Sequence, residues 1–210
     1  MLYKIQKYKD GSAIAIWEIT ETEEQLRQAC PLPHKDEEEL RFIAHEQRRK
    51  ERLVVYLLLE NLFGKKIYLG YHDNGRPFLQ NETGDVSISH TSRFACLIYH
   101  PEEHVGIDIE NTLRNFSAVE KKALSEKERD YLHEKNRPVQ LCIIWSAKEA
   151  LYKYIGESGI DFSTQLEIEK FTPHKQGKLH AVYTGKSEKT IPYELSYELI
   201  EDHAMVWVVA

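Results

Sequence analysis

Apolar residues recur every second position in several short runs of this chain and at helical spacing in a few longer ones. Residues 13–19 predict the first strand, with Ile14 and Ile16 alternating against small neighbours. A short helix is expected over 22–30, stopped by Pro31 and Pro33. A long helix over 35–63 should follow, with Gly64 as its C-terminal signal. Its second half, 53–62, is apolar on several sides and should be buried. Strands are expected at 67–71, 86–89 and 94–99, with turn chemistry at Asp73-Asn74-Gly75.

The second half repeats this order. A strand is expected over 105–110, a helix over 126–135 begun by Ser125, and a helix over 138–155 ended by Gly156. Strands then fall at 166–171, 179–183, 193–199 and 205–209. The repeat is one of elements, without residue-level identity, and its seam lies near 101–104. The expected class is α+β, with an N-terminal half over 1–103 and a C-terminal half over 104–210. A groove between such halves is a natural place for a ligand.

Composition changes this picture little. A hydrophobic share of 41% beside 30% charged residues is that of an ordinary folded protein. The net charge of −6 speaks against a nucleic-acid binder, which would carry a basic stripe. No apolar run reaches the ~20 residues that span a bilayer, so no membrane partner is expected. The polar first ten residues lack the apolar core of a secretory signal. Cys30, Cys96 and Cys142 are far apart and form no CxxC, which predicts reduced, partly buried thiols and a cytoplasmic protein.

Candidate chemistry gathers in four segments. In Val105-Gly106-Ile107-Asp108-Ile109-Glu110, strand alternation sends Val105, Ile107 and Ile109 one way and Asp108 with Glu110 the other. Two carboxylates on one face are either a solvated acidic surface or the beginnings of a Mg²⁺ site, since a hard cation offsets their repulsion. In the helix from Trp145 to Lys153, the i,i+4 spacing aligns Trp145, Glu149 and Lys153, with Lys148 beside them. Glu149 and Lys153 could be a plain surface ion pair; alternatively Glu149 supplies a third metal oxygen and the lysines supply charge for phosphates. Ser87-Ile88-Ser89-His90-Thr91 ends an apolar strand in groups able to bind an anion. Asn74-Gly75-Arg76-Pro77 is a turn that presents one arginine.

These four segments together resemble the 4′-phosphopantetheinyl transferase superfamily, in its long, two-halved Sfp-type branch. The family's G-x-D-x-E strand reads Gly106-Ile107-Asp108-Ile109-Glu110 here, and its W-[ST]-x-K-E-x-x-x-K helix runs from Trp145 to Lys153. Its S-H-[ST] strand end reads Ser89-His90-Thr91, and its G-[KR]-P turn reads Gly75-Arg76-Pro77. The resemblance implies a pseudo-dimer of two similar α+β halves that acts as a monomer. It implies Mg²⁺ on Asp108, Glu110 and Glu149, and coenzyme A as the donor substrate. Lys148 and Lys153 would then touch the diphosphate, with Lys153 also catalytic, while Ser89, His90 and Arg76 would bind the nucleotide's phosphates. The acceptor would be a serine of an apo acyl or peptidyl carrier protein.

Ser125-Glu126-Lys127-Glu128 matches the family's S-x-x-E, where Glu128 would be the base, although the same residues spell a helix capping box. One departure is Tyr56, which stands where many members carry a phosphate-binding arginine; Arg48, Arg49 or Arg52 could substitute, or coenzyme A binding could be weaker. Two alternatives accompany the transferase reading. One is a catalytically weakened relative that binds coenzyme A or carrier protein. The other is a different Mg²⁺-dependent phosphoryl enzyme such as a diphosphate hydrolase, against which the Trp145–Lys153 helix speaks.

Overall fold

The structure, a computed structural model, describes residues 1–32 and 34–210, and the side chains of these other than residues 34 and 35. Pro33, expected to help stop the first helix, lies outside the described residues. The chain is α+β and divides into two compact units, Met1–Glu102 and Glu103–Ala210.

The first unit runs β1 (Leu2–Lys7), β2 (Ala13–Glu18), α1 (Glu23–Ala29), α2 (His34–Arg41), α3 (Glu46–Phe63), β3 (Leu69–Tyr71), β4 (Pro77–Leu79), β5 (Asp85–His90) and β6 (Phe94–His100). Its main sheet has the order β1-β2-β6-β5, antiparallel throughout, and β3 with β4 forms a separate hairpin. The apolar half of α3 packs on β2 and β6, so that Leu53, Leu58 and Leu59 share a core with Ala15, Trp17, Ala95 and Leu97.

Three expectations need correction in this unit, one of them the turn ending at Pro77, where the unexpected short strand β4 begins. Strand β1 was not anticipated, because its partly exposed residues mix Lys4, Gln6 and Lys7 with apolar ones and it lies at the sheet edge. The single helix expected over 35–63 is two helices, broken at residues 42–45. Arg49 stabilises the break by donating to the carbonyls of Ile43 (2.7 Å) and Ala44 (3.0 Å), which a continuous helix would have bonded internally. The same guanidinium pairs with Glu23 of α1 at 2.8 Å.

The second unit runs β7 (Val105–Asn111), α4 (Ser117–Ala123), α5 (Glu126–Asp130), a 3₁₀ turn (Glu134–Asn136), α6 (Arg137–Ile155), β8 (Leu166–Ile168), β9 (Gln176–Thr184), β10 (Thr190–Ile200) and β11 (His203–Val209). Its sheet has the order β7-β11-β10-β9-β8, antiparallel throughout. The expected helix over 126–135 is only one turn and a half, and α4 precedes it. Below α5 the chain is drawn off the helical path: the Tyr131 hydroxyl donates to the Ile168 carbonyl (3.0 Å), and Gln140 accepts from the His133 amide (2.8 Å). The three cysteines are all buried thiols.

Helix α6 crosses β7 closely, and Gly106 permits the crossing. A Cβ at that position would lie 2.0 Å from the backbone oxygen of Ala150. Side chains on the Gly106 face of β7 therefore meet α6, while Val105, Ile107 and Ile109 on the opposite face are also at most 1% exposed. Gly106→Ala is expected to cost about 3 kcal/mol or more in urea unfolding, because the obstructing atom is backbone and cannot rotate away.

Candidate active site

Asp108 and Glu110 stand on the α6-facing side of β7, opposite Val206 and Ala204 of β11. The i,i+4 face of α6 meets them. Lys153 Nζ donates to Asp108 Oδ1 at 2.8 Å and to the Ile107 carbonyl at 2.9 Å. Trp145, on the same helix face, packs on Phe162, with ring centroids 5.7 Å apart. Glu149 lies on the same face, within electrostatic reach of Asp108, Lys153, Glu110 and Arg114.

Burial combined with like charge sets the electrostatics. The Glu149 carboxyl is pushed up from 4.5 to about 7, first by desolvation and then by Asp108, with Lys153 pulling the other way. Glu110 is also raised, by burial and then by Asp108, while Arg114 opposes the shift. The three acids are thus mutual neighbours that resist being charged together. Among the described residues no three His, Cys, Asp or Glu side chains converge into a finished metal cage. Asp108 pairs with Lys153, and Glu110 forms a short ion pair with Arg114. The donor set itself fits a hard divalent cation, being three carboxylates whose repulsion such an ion would relieve.

Arg114 was not anticipated from the sequence. It follows the strand by three residues, where the chain has already turned, and its guanidinium lies over Phe116 (5.5 Å) and Trp145 (5.9 Å). Its position four residues after Glu110 was the only available signal.

Lys148 and Glu128, expected to face a phosphate and a serine, lie in the interior of the second unit. Both are 0% exposed. Lys148 Nζ donates to Glu128 Oε2 (2.6 Å) and to the carbonyls of Ala123 and Phe162 (2.8 Å each). Glu128 also accepts from the amides of Ser125 and Ile168, both at 2.8 Å. The capping box is therefore present, since Ser125 Oγ accepts from the Glu128 amide (3.2 Å). Burial pulls the Lys148 ammonium below its ordinary value, with Glu128 opposing.

The remaining expected residues belong to the first unit. Ser89 and His90 end β5; Ser89 is buried, and His90 Nδ1 lies 3.2 Å from Glu51. Arg48 closes this cluster, 3.1 Å from Glu51 and 3.4 Å from the imidazole. Glu51, a buried carboxylate on α3, had no sequence signal beyond a helical charge pattern. Arg76 forms a short ion pair with Asp85. Arg52 lies one turn beyond Arg48, over the rings of Tyr71 (4.6 Å) and Tyr56 (5.8 Å), and 3.9 Å from Glu39. It lines a cavity of about 570 Å³ together with Asp36, Tyr68, Phe78 and Gln80.

The second unit is also the part of the chain with a known family signature. The sequence profile of the 4′-phosphopantetheinyl transferase superfamily matches residues 104–208, half of the chain. A Haemophilus influenzae protein named "Putative 4′-phosphopantetheinyl transferase" is 30% identical over 125 residues, covering 55% of this chain and 53% of that protein. The chain therefore spans about half the length of the curated relative it matches. With the motif strand and helix packed against each other inside the matched region, the chain belongs to the 4′-phosphopantetheinyl transferase superfamily.

Proposed function

We propose that the protein transfers the 4′-phosphopantetheine group of coenzyme A to a serine hydroxyl of an apo acyl or peptidyl carrier protein. The observation that carries this reading is the packing of β7, which carries Asp108 and Glu110, against α6, which carries Glu149 and Lys153, with Lys153 paired to Asp108. Asp108, Glu110 and Glu149 would hold Mg²⁺, which when bound offsets charge on the diphosphate and on the departing nucleotide.

In the reaction, the serine oxygen forms a new bond to the phosphorus that bears pantetheine. The anhydride P–O bond breaks, and adenosine 3′,5′-bisphosphate leaves with that bond's electron pair. Lys153, fixed by the Ile107 carbonyl, supplies positive charge where the phosphate becomes more negative. In this reading the serine proton passes to solvent water and not to Glu128, which is enclosed. The reading assigns the nucleotide's phosphates to Ser89, His90 and Arg48, of which His90 and Arg48 are paired with Glu51 here, and to Arg76 and Arg52, which pair with Asp85 and Glu39. Tyr56 does not take the role of the family arginine: it is buried beneath Arg52.

The reading further holds that the two units are similar halves of a monomer, and that the protein works in the cytoplasm. No helix among the described residues is long and apolar enough to cross a membrane.

The test is to incubate the protein with coenzyme A, Mg²⁺ and an apo carrier protein and to weigh the carrier by mass spectrometry. The expected result is a gain of one phosphopantetheine, dependent on Mg²⁺. Binding of coenzyme A without transfer would instead identify a catalytically weakened relative, and consumption of coenzyme A with an unmodified carrier would identify a hydrolase.

A further inference from the structure

We propose that Lys148 and Glu128 act as a positioning pair, which holds α6 in the register that places Glu149 opposite Asp108 and Glu110, and that neither touches the reacting atoms. The proposal rests on the functional reading above and assigns these two residues a different role within it.

The geometry leaves the pair little else to do. The three donors of an ammonium find three acceptors around Lys148 Nζ, all at 2.6–2.8 Å: Ala123 O at the end of α4, Glu128 Oε2 on α5 and Phe162 O in the segment before β8. Glu128 spreads its two oxygens over Lys148, the Ser125 amide and the Ile168 amide at the end of β8. Five segments of the second unit thus converge on one buried ion pair. A charge pair removed from water is tolerated only with good geometry and its remaining hydrogen-bonding capacity used, which is the case here.

Lys148 is also the residue immediately before Glu149 on α6. Sliding or rotating the helix would break the three Lys148 bonds at the same time as it moved Glu149 away from β7. Outer residues that orient a metal ligand typically change metal affinity by about 10- to 100-fold when removed. A residue at the reacting atoms would instead change the chemical step.

The experiment compares wild type, Glu128→Gln, Lys148→Met and the double variant by thermal melting with and without Mg²⁺, and by steady-state transfer over a Mg²⁺ titration. Each single variant leaves one buried charge unpaired. Each is expected to melt earlier and to raise the half-saturating Mg²⁺ concentration about 10-fold or more, with the KM for coenzyme A at saturating Mg²⁺ within about twofold of wild type. The double variant removes both charges and is expected to recover the melting temperature and most of the Mg²⁺ response.

A double variant that melts like wild type but has lost about 100-fold or more in kcat overturns the proposal, because the pair would then act in the chemistry. A double variant no more stable than the worse single overturns it as well. Should the variants not fold, amide exchange of the wild type decides: the Ile168 and Ser125 amides bonded to Glu128 must exchange as slowly as the centre of α6, and fast exchange there contradicts the proposal. Wild-type protein that modifies no carrier would sink the functional reading, while the melting and exchange results would still judge the pair.

Discussion

Replacing Asp108 by alanine is expected to lower transfer by about a thousandfold or more while moving the melting temperature by only a few degrees. Asp108 is the largest single charge acting on both Glu110 and Glu149, and it also anchors Lys153 at 2.8 Å. Its removal takes one of three oxygens from the proposed ion and lets Lys153 swing from its place. Losing one preorganised electrostatic group typically costs about 10²–10³ in rate, and two are disturbed here. Stability responds less because two effects oppose each other. Lys153 loses a partner, but Glu149 and Glu110 lose a repulsive neighbour, and each change is worth about 1 kcal/mol at a partly open site. Steady-state kinetics and a melting curve on the same preparation check both halves of the expectation.

Replacing Glu149 by glutamine is expected to abolish transfer and yet to stabilise the metal-free protein at alkaline pH. The Glu149 carboxyl is raised from 4.5 to about 7, so the folded state holds its proton more tightly than the unfolded chain does. Its contribution to stability is therefore fully present below pH 4.5 and is lost as the pH rises through about 7. After allowing for its partial exposure, the loss is about 1–3 kcal/mol. Glu110 adds to it with the same sign. The expected result is that Glu149→Gln and wild type have similar stability near pH 4.5, with the variant ahead by about 1–3 kcal/mol at pH 8. Saturating Mg²⁺ should close that gap by stabilising wild type alone. Urea unfolding at the two pH values, with and without Mg²⁺, measures all of this.

The parts of the site that could be read in the sequence are those fixed by local periodicity. Strand alternation puts Asp108 and Glu110 on one side of β7, and helical spacing puts Glu149 beside Lys153, which bonds Asp108. Gly106 marked the closeness of that meeting, although only the position of the Ala150 carbonyl shows why glycine is required. What stayed hidden depends on contacts between distant segments. Helical spacing sets Lys148 only beside the Glu149–Lys153 face, since its acceptors come from three places 14–25 residues away. The capping box around Glu128 was visible, but the enclosing Ile168 amide lies 40 residues on. The break between α2 and α3 was equally hidden, because Arg49 captures the released carbonyls and its partner Glu23 sits on another helix. Edge strand β1 escaped notice because a half-exposed strand need not alternate.

In the proposed function, three acids from one strand and one helix share a divalent ion. Mn²⁺ binding in the presence of coenzyme A, followed by electron paramagnetic resonance on wild type, Asp108→Ala, Glu110→Ala and Glu149→Gln, tests it most directly. One Mn²⁺ site is expected in the wild type, weakened about 10-fold or more in each variant. A single site of unchanged affinity in all four proteins would contradict it.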